Sequence, residues 1–229
     1  MNSMNTLKQK LDLTTTDLII YFSILALIAY SLLTLAFAKD LLVALVAEDG
    51  PAENLTALML FAASFVSIYR IKQYVVLKKH GWVIMQVALA LFFFFAAGEE
   101  LSWGQRIFNI ESGEFFQQNN LQGETNLHNM MVGDVKINKL IFSQMLFVVL
   151  VIYFVFLEFL AKKVKFIGNL VRYFNVPLPR LHHIVMMLFS AAIIQGVYYS
   201  RHEELLEFVF AAIFFLIFLN PKKWTEELK

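Results

Sequence analysis

The sequence predicts an all-α fold, a polytopic transmembrane helix bundle of about six spans with both termini in the cytoplasm. Three observations carry that prediction. Hydrophobic residues fill 59% of the 229 positions, 24 of them Phe, while only 16% are charged and the mean hydropathy is +0.64; a soluble domain carries roughly 25% charged residues. The apolar residues gather into six runs, each bounded by charge. The Lys and Arg residues segregate by loop, with 14 of 19 falling in the two termini and alternate connections, the asymmetry that marks the cytoplasmic side.

The first span, 17–37, is entered through Asp12 and Asp17 and closed by Lys39. Leu35-Ala36-Phe37-Ala38 has the small-x-small form of a signal-peptidase site, but the apolar run exceeds a signal core of roughly 7–15 residues and its entrance is acidic, so it reads as uncleaved. The second span, 53–70, follows the turn signal Gly50-Pro51 and leads into a basic connection with Arg70, Lys72, Lys78 and Lys79. The third, 82–99, stops at Glu99-Glu100, and an outer loop of about 40 residues, 100–139, follows. The fourth, 140–160, carries Glu158 near its inner end, spaced to pair with Lys162 one helical turn on. A basic stretch with Lys162, Lys163, Lys165, Arg172 and Arg180 returns the chain to spans five, 182–200, and six, 204–220. The strictly apolar parts of spans two, three, five and six fall short of the about 20 residues a crossing takes, so they borrow flanking polar residues. No internal repeat or second domain is evident. The chain has no Cys, which excludes disulfides and thiolate chemistry, and its segregated charge excludes a nucleic-acid face.

The candidate functional residues lie in the outer connections. Gly98-Glu99-Glu100-Leu101-Ser102-Trp103-Gly104-Gln105-Arg106 is the densest patch; carboxylates at a lipid boundary must be paired, protonated or bound to a metal. If the third helix continues through it, Glu99, Trp103 and Arg106 form one stripe. Glu124 and His128 are spaced one helical turn apart, Glu48, Asp49 and Glu53 precede the second span, and Arg201, His202, Glu203 and Glu204 precede the sixth. Gln195 is the Gln best placed to face such a site, whereas Gln86 and Gln144 read as interhelical hydrogen-bonding residues.

Two chemistries suit this set. Glu99, Glu100, His128 and His202 are candidates for general acid and base work. Glu100, Glu124, His128 and His202 are candidate ligands for a divalent metal ion, the one cofactor the residues suggest. Arg106 beside Trp103 suits a phosphate or carboxylate head group. The bland alternatives are a structural ion pair of Arg106 with Glu99 or Glu100, an interfacial anchor for Trp103, a capped loop histidine for His128, and a helix-end pairing of His202 with Glu203 or Glu204. His80, His182 and His183 read as part of the cytoplasmic basic signal.

The succession Glu48-Asp49-Gly50-Pro51-Ala52-Glu53, Gly98 to Arg106 and Gln122-Gly123-Glu124-Thr125-Asn126-Leu127-His128-Asn129 resembles a group of small bacterial integral membrane proteins with no assigned activity. That resemblance implies a bacterial inner membrane and ties the three patches together. Glu-Glu intramembrane proteases place Arg four residues after the second Glu, but Arg106 follows Glu100 by six, and the His-x-x-x-His of ceramidase-like hydrolases is missing.

Three functions follow as expectations. The first is an enzyme, a hydrolase or transferase acting on a lipid or lipid-linked substrate at the outer surface. The second is a non-catalytic assembly or sensing subunit that uses the long loop to grip a partner. The third is a small transporter or channel, weakened by the scarcity of charge at mid-span. Membrane lipids are partners in each case, and a protein partner or homo-oligomer stays open.

Overall fold

The computed structural model describes residues 12–132, 135–136, 146–196, 199 and 201–222. Their regular secondary structure is helical apart from one two-residue antiparallel pair, Met131–Val132 with Val135–Lys136. They fall into two compact units, residues up to Met59 together with Pro179–Lys222, and Leu60–Leu178.

In the first unit, α1 (Thr15–Phe37) packs against α10 (Leu181–Gly196) and α11 (Glu203–Leu219), which pack on each other, and short α2 (Lys39–Leu45) folds back on α1. Helix α1 starts where it does because Thr14 and Asp17 form a capping box: Asp17 N–H donates to Thr14 Oγ1 at 3.1 Å, and Thr14 N–H donates to Asp17 Oδ2 at 2.7 Å. Helix α11 is apolar apart from Glu203, Glu204 and Glu207 and buries ten of its 17 residues, as a central helix must. Helix α3 (Pro51–Val76) crosses the boundary between the units after Met59.

The second unit holds the rest of α3, α4 (His80–Glu100), α5 (Gln105–Phe108) and α6 (Glu114–Asn119). It continues with a helical run over 146–163, made of α7 (Leu146–Val151), a π-helical turn (Ile152–Phe156) and α8 (Leu157–Lys163), and ends with α9 (Lys165–Phe174). Ser64 Oγ donates to the Ala90 carbonyl at 2.9 Å, tying α3 to α4. Helix α9 packs on α4, and Gly81 permits a close approach there, since a Cβ would lie 2.3 Å from the Tyr173 carbonyl oxygen. Glu158 accepts from Lys162 at 2.7 Å, as their spacing predicts.

Helices α1, α3 and α4 are long and apolar enough to cross a membrane. Their packing is inverted relative to a soluble protein. The buried stripe of α1 is Asp17, Ile24, Ile28, Ser31 and Thr34, while Phe22 and Phe37 are 74% and 85% exposed. The buried stripe of α4 runs through Gly81, Gln86, Ala90, Phe93, Ala97, Gly98 and Glu99. Burial of mostly small and polar residues, with most of the large apolar ones outside, is what helix packing in lipid selects, because lipid tails are as apolar as Leu. Among the described residues the helices at the fifth and sixth predicted spans are shorter, with 16 residues in α10 and 17 in α11. Residues 140–145, and with them Gln144, lie outside the described residues, while Gln86 is buried.

Candidate functional site

Helix α4 does not continue through Arg106, so the expected Glu99, Trp103 and Arg106 stripe on one straight helix does not form. The helix ends at Glu100, and Ser102, Trp103 and Gly104 then turn left-handed, with φ of 45°, 55° and 75°. Gly takes that conformation freely; Ser and Trp take it at a cost of order 1–3 kcal/mol each and keep it only where the surroundings over-determine it. They do so here. The turn lays the Trp103 ring over Gly98, where a Cβ would lie 2.8 Å from ring carbons, and against the edges of Phe94 and Phe95. The Trp103 Nε1–H donates to Glu99 Oε1 at 2.8 Å.

The two buried carboxylates of this region are both engaged by its own donors. Glu99 Oε2 accepts the backbone N–H groups of Leu127 at 2.5 Å and His128 at 3.1 Å, so one side chain holds both the helix exit and a segment 28 residues on. Glu124 Oε2 accepts from Ser102 Oγ at 2.5 Å and from Asn126 Nδ2 at 3.4 Å, and Glu124 Oε1 pairs with Arg106 Nε. Arg106 Nη2 reaches Gln122 Oε1 at 3.1 Å. Arg106 thus pairs with Glu124, a partner that sequence spacing does not suggest. Residues 121–130 are not helical, so Glu124 and His128 are not on one helical turn. The separation of 18 residues between Arg106 and Glu124 is closed by the turn and by two side-chain amides. Gln105 donates to Ser112 Oγ and accepts from the Thr125 N–H, and Asn120 Nδ2 donates to Asn126 Oδ1 while Asn120 Oδ1 accepts from the Gln122 and Glu124 N–H groups. Residues 101–130 of the long loop are therefore a folded head. Ile107, Phe108, Ile110, Phe115 and Leu121 are exposed on it, while Glu100 and His128 are half-buried.

The other predicted site residues belong to the first unit. Glu48 pairs with Arg201, whose guanidinium this hydrogen bond pushes up from its ordinary value. The Asp49 N–H donates to Glu53, across the turn at Gly50-Pro51. His202 Nδ1 lies 3.0 Å from the Tyr199 carbonyl oxygen and 3.9 Å from Glu203 Oε2, close to its helix-end reading. Glu203 and Glu204 occupy the first turn of α11, where carboxylates suit the helix N-terminus. Gln195 is exposed near the end of α10.

A further group in the first unit is one the sequence reading assigned to basic signal. Asp17, His182 and His183 each offer a ligand atom within 4.8 Å of the others, and among the described residues this is the three-member grouping of carboxylate and imidazole ligand atoms; Glu100, Glu124, His128 and His202 are not in it. His183 Nε2 and Asp17 Oδ1 are 3.5 Å apart, and both side chains are 0% exposed. Tyr21 Oη is 2.7 Å from His182 Nδ1, and the Arg180 N–H donates to His183 Nδ1 at 3.2 Å. The sequence signal for it was the Thr14-x-x-Asp17 capping spacing, which fixes Asp17 at the helix entrance.

No protein-family profile matches the chain, and neither a curated protein nor a solved structure is significantly similar to it.

Proposed function

We propose that the chain is a bacterial inner-membrane protein of six spans with both termini cytoplasmic, and that residues 99–130 form a rigid periplasmic head that grips a protein partner. In this reading the protein is a non-catalytic assembly or sensing subunit. The observation that carries it is the engagement of both oxygens of Glu99 and of Glu124 by donors of the head itself. Carboxylates held this way fix a shape; acid, base and metal-ligand roles would each require breaking that hold. The exposed Ile107, Phe108, Ile110, Phe115 and Leu121 supply an apolar face for the partner. Membership of the resembled bacterial group, the six spans and the orientation rest on the segregation of 14 of the 19 Lys and Arg residues and on the apolar runs.

Photo-crosslinking in intact cells from a probe at Phe108 or Phe115 tests this. A protein adduct of one defined mass, lost when Glu99→Gln loosens the head, is expected. Adducts to phospholipid alone would show that this face dips into the membrane surface, and would end the partner reading.

The left-handed run Ser102–Gly104 favours one second reading, because strained backbone gathers at active sites. It is the enzyme acting on a lipid or lipid-linked substrate, with Glu99, Glu100 and His128 in acid, base or metal-ligand roles and Arg106 at the head group. It requires that Glu100→Gln and His128→Ala abolish turnover of such a substrate while thermal stability is kept.

A further inference from the structure

Two capping arrangements meet in the first unit. Asp17 Oδ2 is held by Thr14 at the entrance of α1, and His183 Nδ1 is held by the Arg180 N–H just ahead of α10. Each side chain therefore turns its second polar atom inward. Among the described residues, Asp17 Oδ1, His183 Nε2 and His182 Nε2 are buried atoms with no hydrogen-bond partner. His182 is oriented in the same way, by Tyr21 Oη on its Nδ1. Asp17, His182 and His183 thus each offer a ligand atom within 4.8 Å of the others; Thr14 on Asp17 and Tyr21 on His182 are outer partners of the kind that orient the ligands of a metal, whereas the Arg180 N–H on His183 must give way.

We propose that Asp17, His182 and His183 bind a divalent ion of the zinc class at the N-terminal ends of α1 and α10. The geometry suits it. The 3.5 Å between Asp17 Oδ1 and His183 Nε2 matches the edge of a tetrahedron built on bonds of about 2.1 Å. His182 completes the set by a small inward movement from within 4.8 Å. Two imidazoles and one carboxylate suit Zn²⁺, Co²⁺ or Fe²⁺ better than the hard Mg²⁺ and Ca²⁺, which take oxygen sets. Half-buried His182 gives the ion an entry edge, and a fourth position is left for water.

The Arg180 contact sets the terms. While Arg180 N–H donates to His183 Nδ1, the ring proton sits on Nε2 and faces Asp17. Binding at Nε2 moves that proton to Nδ1 and gives up the Arg180 bond. One neutral hydrogen bond of 3.2 Å is weak beside a coordinate bond to a doubly charged ion. The nearby guanidinium is held by its own partners, with Arg180 Nη1 on Asp12 Oδ2 at 2.8 Å and Nη2 on Asn220 Oδ1 at 2.6 Å.

The test uses the full chain, purified in detergent with a tag free of His and stripped with chelator, then titrated with Co²⁺ and back-titrated with Zn²⁺. The expected result is one Co²⁺ per chain with the visible absorption of a tetrahedral N/O site, displaced by one Zn²⁺. His182→Gln and His183→Gln should each weaken binding by about 100-fold or more, and Tyr21→Phe by about tenfold, the usual effect of losing an orienting partner. If His183→Gln does not fold, His182→Gln and Tyr21→Phe still decide the matter, since one is half-buried and the other removes a single oxygen. Absence of a saturable Co²⁺ spectrum in the folded wild type, or a spectrum unchanged by His182→Gln, would overturn the site and leave Asp17 and His183 as a helix-end pair.

Discussion

Replacing Glu99 by Gln should loosen the head without unfolding the helices that carry it. The carboxylate receives three hydrogen bonds, from Trp103 Nε1 at 2.8 Å and from the N–H groups of Leu127 at 2.5 Å and His128 at 3.1 Å. Gln has the same shape but one acceptor oxygen. If that oxygen keeps the two backbone donors, its NH₂ faces the Trp103 N–H, and two donors confront each other at a part-buried position. Losing one charge-assisted bond and leaving its donor unsatisfied costs about 2–3 kcal/mol. At about 1.4 kcal/mol per factor of ten, that is roughly a 30- to 150-fold faster exchange of amides protected by the closed head. Hydrogen exchange with mass-spectrometric detection of the peptide over 124–130 reads it directly, because the Leu127 and His128 amides report their own bonds. Exposed Glu114, in the first turn of α6, provides the control, and Glu114→Gln should leave that peptide unchanged. A change of less than about threefold in Glu99→Gln would show that the carboxylate does not hold the loop.

Gly98→Ala should destabilise by about 1–3 kcal/mol, because its Cβ would lie 2.8 Å from the Trp103 ring, whereas Gly113→Ala meets nothing within 4 Å and should be neutral; thermal melting in detergent separates the two. Arg106→Ala should cost about 1–2 kcal/mol, less than a fully buried pair, since its side chain is 34% exposed; combined with Ser102→Ala the loss should fall short of additive, because both act on Glu124. Thr14→Ala removes the α1 cap and should speed exchange at its first turn by an amount equivalent to about 1 kcal/mol, with no change in the head. Because the chain contains no Cys, Phe115→Cys and Lys78→Cys give single thiols; an impermeant reagent applied to spheroplasts should label the first and not the second, and the opposite result would invert the topology.

How far the sequence reveals this structure depends on how local each interaction is. The helices α1, α3 and α4 are legible because apolar runs bounded by charge need no partner to be recognised. The Glu158 to Lys162 pair is legible for the same reason, being one turn of one helix. The head is not. Gly104 is the one residue in Ser102-Trp103-Gly104 that favours a left-handed turn, so a hydropathy reading extends the helix straight through it. The choice of Glu124 for Arg106 depends on a turn and on Gln105 and Asn120 amides that carry no sequence signature. Tyr21 and His182 are 161 residues apart in the chain. Without that contact in view, adjacent histidines in a basic stretch carry no sign of chemistry.

The clasp between Glu99 and the Leu127 and His128 amides also sets an order of events during biosynthesis. Glu99 leaves the ribosome 28 residues before the first of the amides that hold it. At roughly 5–20 residues per second, it waits on the order of 1–6 seconds at the end of a freshly made apolar helix with Trp103 as its nearest available donor. The clasp can close only once residue 128 has emerged, so a chain truncated before residue 127 would carry α4 with Glu99 still unclasped, a mark that tells a chain cut short there from a longer one.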